Sequence, residues 1–248
     1  MNKIMKSLIS NPATFQIAGL LLYLFYGLLI GIALIPSALL VTSINKLRPF
    51  NLPALNTCLL ALGIGTSVYL FFIAGVIVFG ATGRLLSLGF RPGKYKTTDP
   101  TFYRWLIYGG IHTISINLIL PYVMGSGIIR LYFKLLGCKM GKDVFINTVG
   151  LHDSYLLTIG DNVVIGGKTD ITCHIFEGGY LILDRITIGS NVMIGANTYI
   201  MPGASVGSNS SIGANSQIRK NKKIDEKSLI LPLPGLPAKQ IARIMNIK

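Results

Sequence analysis

A six-residue repeat in the last third of the chain constrains its fold more than any other feature. Aliphatic residues recur at every sixth position without a miss, at Ile188, Ile194, Ile200, Val206, Ile212, Ile218 and Ile224. Three positions after each of the first six stands Asn or Gly, which accept a left-handed backbone at low cost: Asn191, Asn197, Gly203, Asn209, Asn215 and Asn221. Four positions after each stands a mostly small residue: Val192, Thr198, Ala204, Ser210, Ser216 and then Lys222.

The three registers together predict a triangular coil. An aliphatic side chain points inward from each short strand, a small residue fits beside it, and Asn or Gly takes the corner. Three hexads make one coil of 18 residues, so this run supplies two full coils. An amphipathic helix needs apolar residues spaced by three and four, and hairpins need longer strands between turns. Neither pattern is present.

The repeat begins earlier and slips twice. Further hexad positions are Ile159, Ile165 and Ile171, and more weakly Met140 and Ile146. Ile146 and Ile159 are 13 residues apart, one more than two hexads, whereas Ile171 and Ile182 are 11 apart, one fewer. The two slips cancel, so we expect the later coils to return to phase.

Each slip contains one of the two histidines of this region. His152 and Asp153 lie in the first slip, and His174 and Glu177 lie in the second. A regular scaffold that breaks where its titratable residues lie indicates a functional site built onto it.

The N-terminal part has the composition of membrane helices. Residues 7–45 and 49–83 contain no charged residue, and the first acidic residue of the chain is Asp99. Each stretch exceeds the roughly 20 residues that a helix needs to cross the hydrocarbon, and the first is too long for a cleaved signal peptide. We predict two transmembrane helices joined by a tight turn at residues 45–49. The turn carries two positive charges and the segment after the second helix carries four, which favours both termini, and the β-helix, on the cytoplasmic side of the inner membrane.

A third apolar region, residues 103–136, admits two interpretations. It either forms one or two helices lying in the membrane interface, which we favour, or a third span, which would move the C-terminal domain to the opposite side. Arg104 and Trp105 at its start suit headgroup depth. His112 within it is expected to be structural; its functional alternative is a contact with a lipid-linked acceptor.

The net charge of +14 does not indicate nucleic acid, because the positive residues are scattered and many flank apolar runs, where anionic lipid explains them better. Three cysteines are too few and too scattered for a disulfide framework or a zinc cluster.

Three segments carry a resemblance to a known family. They are Arg130-Leu-Tyr-Phe-Lys-Leu-Leu-Gly-Cys-Lys-Met-Gly141, Leu157-Thr-Ile-Gly-Asp-Asn-Val-Val-Ile165, and Cys173-His-Ile-Phe-Glu177 followed by regular hexads. With them, the chain resembles the hexapeptide-repeat acyltransferases, and more narrowly the membrane-linked β-helix units at the C-terminus of non-ribosomal poly-lysine synthetases. The ending Pro234-Gly-Leu-Pro-Ala-Lys239 is similar to that of many such transferases. The resemblance covers about residues 100–240.

The resemblance implies a left-handed parallel β-helix, a homotrimer with active sites in the grooves between neighbouring β-helices, and acyl-coenzyme A as the usual donor. Carrier-bound aminoacyl groups serve as donors in the poly-lysine systems. The expected fold is therefore membrane α plus all-β, in four parts: a transmembrane hairpin (1–98), interfacial helices (99–137), the β-helix (138–227), and a tail with a short helix (228–248).

His174 is the leading catalytic candidate, because a neutral imidazole can take the proton of an attacking hydroxyl or amine. The resemblance places the family's catalytic histidine in this kind of position. Glu177 would orient His174 or remains a solvated carboxylate. His152 and Asp153 would form a second pair in the same groove or have no role. Cys173 is expected to be a small buried thiol rather than a nucleophile.

For the donor, the basic cluster Arg219, Lys220, Lys222 and Lys223 either pairs with coenzyme A phosphates or is a solvated or lipid-facing patch. By analogy, Gly195 and Ala196 would lie against the pantetheine arm. We expect no metal, because His152 and His174 lack the ligand spacing of the zinc-binding carbonic anhydrases that share this scaffold.

The sequence thus predicts an acyltransferase, most plainly an O-acetyltransferase. It would move an acetyl or other small acyl group from acetyl-coenzyme A or another acyl thioester to a hydroxyl or amine of a lipid-linked or surface-polymer acceptor at the bilayer. Two alternatives remain: an amide-forming unit that uses carrier-bound aminoacyl donors, and a non-enzymatic trimeric scaffold.

Overall fold

A computed structural model describes residues 12–47 and 49–232. Helices α1 (Pro12–Leu47) and α2 (Pro53–Ser87) come first and pack against each other. Helix α3 (Pro100–Leu118), a 3-10 turn (Leu120–Tyr122) and helix α4 (Gly127–Leu135) follow. The predicted C-terminal helix and the motif at 234–239 lie outside the described residues.

Helices α1 and α2 are long and apolar enough, by length and composition, to cross a membrane. The most apolar 18-residue window has a mean hydropathy of 2.4 in Gly19–Leu47 and of 2.2 in Pro53–Ser87. At 1.5 Å per residue each helix is about 50 Å long, more than the ~30 Å hydrocarbon. Glycines permit close packing: Gly63 faces Ile44 of α1, and Gly75 and Gly83 of α2 face Ile119 and Leu136.

The C-terminal part is a parallel β-helix of short strands, as the hexads predict. Its first face contains β2 (Lys139–Met140), β5 (Leu157–Ile159), β10 (Ile186–Ile188), β13 (Ser205–Val206) and β16 (Lys223–Ile224). Its second face contains β3 (Phe145–Ile146), β6 (Val164–Ile165), β11 (Met193–Ile194), β14 (Ser211–Ile212) and β17 (Leu229–Ile230). Its third face contains β4 (Gly150–His152), β7 (Asp170–Thr172), β12 (Tyr199–Ile200) and β15 (Gln217–Ile218).

The predicted roles of the three registers are confirmed. The seven aliphatic residues from Ile188 to Ile224 are all buried. The five corner asparagines have φ between 56° and 61°, and Gly203 has φ 77°. Corner asparagines also bond from coil to coil: Asn197 Nδ2 donates to Asn215 Oδ1 at 2.6 Å. Lys222 departs from the small-residue register and is exposed.

The prediction for the second slip is wrong. Ile182 is not a hexad position; it lies in β9 (Tyr180–Leu183), which forms an antiparallel hairpin with β8 (His174–Glu177) around Gly178 and Gly179. A further strand, β1 (Gly93–Lys96), pairs with β9. The hexad rule would place the next coil strand's inward residue six positions after Ile171. That residue is Ile188, which pairs with Ile159 and lies 17 positions after Ile171. The slip is therefore an inserted hairpin of 11 residues.

In the first slip the backbone of one coil departs from the regular hexad path. Leu151 points inward and pairs with Ile171, five residues after Ile146. Asp153 then adopts a left-handed conformation (φ 51°, ψ 45°), and a 3-10 turn (Ser154–Leu156) leads into β5. Both slips lie at the edges of the third face, so they bring His152, Asp153 and His174 to neighbouring coils.

One continuous apolar core joins the helices to the β-helix. It runs from Tyr26 and Phe72 of the long helices, through Tyr108 and Phe133, to the coil interior. Helices α3 and α4 thus pack on the first coils, and they form one wall of the space around the two histidines.

Backbone stacking of the coils gives a stability test. A Cβ at Gly166 would lie 2.6 Å from Ala196 N, whereas a Cβ at Gly167 would meet nothing closer than Asn147 Nδ2 at 3.4 Å. Overpacking against backbone cannot relax by a rotamer change, so Gly166→Ala should lower the free energy of unfolding by about 1–3 kcal/mol. Gly167→Ala should change it by less than ~1 kcal/mol. Chemical unfolding of the two variants in detergent compares them, and equal losses would contradict this stacking.

Candidate functional site

The site is built around Asp153, a carboxylate with 2% of its surface exposed. Its left-handed backbone conformation turns the chain between His152, at the end of β4, and the 3-10 turn that follows. The side chain is thereby directed to the point where β7 ends and the inserted hairpin begins.

His174, the first residue of that hairpin, contacts this carboxylate. His174 Nδ1 lies 2.5 Å from Asp153 Oδ2, and Thr172 Oγ1 lies 3.1 Å from the same nitrogen. An ionised carboxylate only accepts hydrogen bonds, so it holds the proton of neutral His174 on Nδ1. The Nε2 atom is then unprotonated, which is the form a general base requires.

Two aromatic side chains hold the other oxygen of Asp153. Trp105 Nε1 donates to Asp153 Oδ1 at 2.8 Å, and the Tyr155 hydroxyl donates to the same oxygen at 3.1 Å. Burial alone would raise the pKa of Asp153, but the bonds from His174, Trp105 and Tyr155 outweigh burial and lower it. Asp153 is therefore a charged, fully paired orienting group.

His152 lies beside the dyad formed by His174 and Asp153 and lines the same pocket. Its ring centroid is 6.3 Å from that of His174, and its Nε2 lies 3.3 Å from Asp170 Oδ1. Burial opposes protonation of His152, but the contact and charge of Asp170, with the charge of Asp153, outweigh it and raise the pKa of His152. His152 thus carries more positive charge near neutral pH than a free histidine.

His112 of α3 completes a row of three histidines. Its ring centroid is 5.1 Å from that of His152, and its Nδ1 lies 3.2 Å from the Tyr132 hydroxyl. Burial first, and then the nearby His152, lower the pKa of His112 to about 3. His112 is therefore neutral at physiological pH.

A pocket of about 340 Å³ opens between α3 and the β-helix at this row. Its volume is within the range of small-molecule sites, about 300–1,000 Å³. It is lined by Trp105, Leu106, Tyr108, Gly109, Gly110, His112, Thr113, His152, Asp153 and His174. The helical region thus contributes more of the lining than the β-helix does.

The structure brings three of the four predicted catalytic residues together: His174, Asp153 and His152. The pairing differs from the prediction, because Asp153 bonds His174 and His152 contacts Asp170. Glu177 does not take the orienting role; it is exposed and its carboxylate bonds Lys220. Strand geometry explains this, because Glu177 lies at the far end of β8 from His174.

The predicted donor residues fall into two groups. Gly195 and Ala196 lie at the corner before the third face, whereas Arg219, Lys220 and Lys222 lie at the corner after it. Lys220 is half-buried in its bond to Glu177, and Arg219, Lys222 and Lys223 are exposed. The fold therefore separates the two groups by the width of that face.

Cys173 is fully buried next to the dyad. Burial raises the pKa of its thiol well above the ordinary value, with the charge of Asp153 adding to the effect. A buried thiol held in the protonated form is a poor nucleophile, as the interpretation of Cys173 as a small packed side chain requires.

Trp105 has a different place from the one its sequence context predicts. The indole is expected at headgroup depth, but it is buried against Asp153 and lies 4.9 Å from the His174 ring. Neighbouring Arg104 is exposed and packs over Phe90. Tyr155, inside the first slip, is also outside the predicted site. The available signal was the single Trp of the chain near the start of a helix next to a histidine-bearing scaffold.

Comparison with known proteins identifies the repeat. Residues 185–220 match the family "Bacterial transferase hexapeptide (six repeats)". A delta-poly-L-ornithine synthetase of Acinetobacter baumannii is 36% identical over 127 residues, which is 51% of this chain and 9% of that protein. The predicted resemblance to hexapeptide-repeat acyltransferases is confirmed, with a poly-ornithine synthetase as the relative where a poly-lysine synthetase was expected, and acyl transfer is supported as the general class of reaction.

Solved structures with similar β-helices include two acetyltransferases. One is a hexapeptide-repeat-containing acetyltransferase from Vibrio cholerae, 26% identical, which covers 38% of this chain and 57% of that chain with a TM-score of 0.35. The other is a maltose O-acetyltransferase from Clostridium difficile 630, 21% identical, which covers 53% of this chain and 84% of that chain with a TM-score of 0.39.

Proposed function

We propose that this protein is a membrane-anchored acyltransferase that moves a small acyl group from a thioester to a hydroxyl or amine, with His174 as general base. The single observation that carries the proposal is the buried dyad. His174 Nδ1 bonds Asp153 at 2.5 Å at the edge of a hexapeptide-repeat coil, and His174 lines the pocket.

The proposed step uses only this dyad and the two substrates. The acceptor oxygen or nitrogen attacks the thioester carbonyl while its proton passes to His174 Nε2. Asp153 stabilises the imidazolium that forms and keeps it oriented. The tetrahedral intermediate then expels the thiolate, which takes the proton from Nε2, so the products are the acylated acceptor and the free thiol.

We propose acetyl-coenzyme A or another acyl-coenzyme A as the donor. Strand β15, just before Arg219 and Lys220, lies two strands along the third face from β7, which ends beside His174. Strands are spaced about 4.8 Å apart, so this basic corner is about 10 Å along the coil axis from the dyad. Arg219, Lys222 and Lys223 are exposed there, where phosphates of the donor would pair with them.

We propose that the acceptor is held by the membrane, either lipid-linked or on a surface polymer. The pocket adjoins α1: the Tyr26 hydroxyl donates to Ile107 O at 3.3 Å and lies against Gly110, which lines the pocket. An enzyme whose pocket adjoins a spanning helix meets a bilayer-held acceptor at high local concentration. A homotrimer, with each groove closed by a neighbouring β-helix, is part of this proposal.

A second candidate is an amide-forming unit that joins amino acids or amines from a partner's carrier protein. The likeness to a delta-poly-L-ornithine synthetase favours it. The same dyad would serve, because an amine nucleophile must also lose a proton. The two candidates differ in donor, so a test with acetyl-coenzyme A separates them.

Substitution of the dyad gives the main functional test. His174→Ala and Asp153→Asn should each lower the rate of acetyl-coenzyme A hydrolysis by the purified full chain by about 10²–10⁴, the usual contribution of a positioned base. The neutral amide introduced by Asp153→Asn would no longer hold the proton on Nδ1. Binding isotherms for acetyl-coenzyme A should be the same for wild type and both variants.

Glu177→Gln is the matched control, because Glu177 is a carboxylate on the same hairpin that bonds Lys220 instead of His174. It should keep most of the hydrolysis rate. Saturable binding with equal hydrolysis in wild type and His174→Ala would refute the base assignment. Absence of acetyl-coenzyme A binding would refute the donor and favour the carrier-protein alternative.

The proposed topology is tested with single cysteines in a Cys58→Ser background. Cys58 is the exposed native cysteine, whereas Cys138 and Cys173 are buried. Asn51→Cys, in the link between α1 and α2, should react with a membrane-impermeant maleimide on intact cells stripped of their outer membrane. Lys227→Cys, in the last coil, should react only after permeabilisation. The opposite pattern would place the β-helix outside the cytoplasm.

A further inference from the structure

Two buried side-chain polar atoms of α3, Tyr108 Oη and His112 Nε2, have no hydrogen-bond partner among the described residues, and both residues line the histidine pocket. Asp170 Oδ1 is buried beside them, but it is already paired with His152 Nε2 at 3.3 Å. A buried polar atom without a partner costs about 1–3 kcal/mol, so a pair of them at one pocket indicates a ligand that pairs with them.

The two α3 side chains are held rigidly. The Tyr108 and His112 rings stack at an interplanar angle of 8° with centroids 6.4 Å apart. Tyr132 holds the Nδ1 side of His112, so the opposite nitrogen, Nε2, is the one left for a ligand. Tyr108 is 1% exposed and His112 is 4% exposed. The positions of both atoms are thus fixed before any ligand binds.

The protonation states of these atoms select a hydroxyl. Burial raises the pKa of Tyr108, which keeps its proton, and lowers that of His112, which stays neutral. A neutral imidazole nitrogen donates or accepts according to its tautomer, and a phenol does both. A hydroxyl group donates and accepts, so hydroxyls satisfy both Tyr108 Oη and His112 Nε2.

Other acceptor chemistries fit less well. The pocket lining contains no Lys or Arg among the described residues, so a phosphate would find no guanidinium or ammonium donor there. A simple alcohol offers one hydroxyl, and once that hydroxyl lies at His174 none is left to pair with Tyr108 Oη or His112 Nε2.

We propose that Tyr108 and His112 form a binding subsite for a polyhydroxylated acyl acceptor, a sugar or similar polyol, whose reacting hydroxyl lies at His174. This inference rests on the proposed function, and it names the substrate class. The neighbouring hydroxyls pair with Tyr108 Oη and His112 Nε2. Helix α3 thereby selects the acceptor, whereas the coil holds the base.

The test measures binding by the full chain in lipid nanodiscs. The probes are the methyl glycosides of glucose, galactose, mannose and N-acetylglucosamine, with 1-propanol and propyl phosphate for comparison. Wild type should bind at least one glycoside more tightly than propanol or propyl phosphate. Tyr108→Phe and His112→Phe should each weaken that binding about tenfold, roughly the value of one well-placed hydrogen bond.

The unfolding temperature separates a binding role from a structural one. Tyr108→Phe removes a hydroxyl that has no partner among the described residues, so it should leave the unfolding temperature unchanged or raise it. Tyr122→Phe is the matched control: Tyr122 is exposed, stacks on Phe72 and does not line the pocket, and loss of its hydroxyl should affect neither measurement.

Two results would overturn the inference. One is a wild type that binds no glycoside in preference to propanol and propyl phosphate. The other is glycoside binding that Tyr108→Phe and His112→Phe leave unaltered. Acetyl-coenzyme A binding and His174-dependent hydrolysis, measured on the same preparations, report on the proposed function separately. If either result is found while acetyl-coenzyme A binding and His174-dependent hydrolysis are intact, the acceptor subsite is refuted and the proposed function stands.

Discussion

The site depends on the hydrogen bonds that pair the buried charge of the Asp153 carboxylate. A charge with 2% of its surface exposed is costly unless it is paired and hydrogen-bonded. Three donors from three parts of the chain supply this: Trp105 from α3, Tyr155 from the first slip, and His174 from the inserted hairpin. Removing any one donor leaves the carboxylate under-satisfied, so the helices, coil and hairpin are coupled at one carboxylate.

Through this carboxylate, the helical part and the β-helix both contribute to one pocket. The β-helix by itself presents a regular surface, because every hexad buries its aliphatic residue and exposes its corners. The irregular segments carry His152, Asp153 and His174, and α3 supplies a wall of the pocket. Since α3 packs on α2 through Gly83 and Tyr108, this wall is continuous with the helices that we propose to span the bilayer.

The hexads could be predicted from the sequence because their physics is local: one inward aliphatic residue and one left-handed corner every six residues. The same rule failed at Ile182, where an apolar hairpin strand imitates a hexad position. Six-residue spacing could not predict the hydrogen bond between Trp105 and Asp153, because these residues are 48 positions apart in the chain. His112 was assigned a structural role for the same reason, since packing of α3 on the coil has no signature in residue spacing.

The hydrolysis rate of acetyl-coenzyme A by Trp105→Phe, in the full chain, is the most direct test of the claim that a helix outside the coil maintains the catalytic dyad. The account predicts a rate at least about tenfold below that of wild type, since a hydrogen bond to a charged group contributes about 1.5–3 kcal/mol, with unchanged acetyl-coenzyme A affinity and a folded protein. A wild-type rate in this variant would contradict the account, because the coil alone would then hold the base in place.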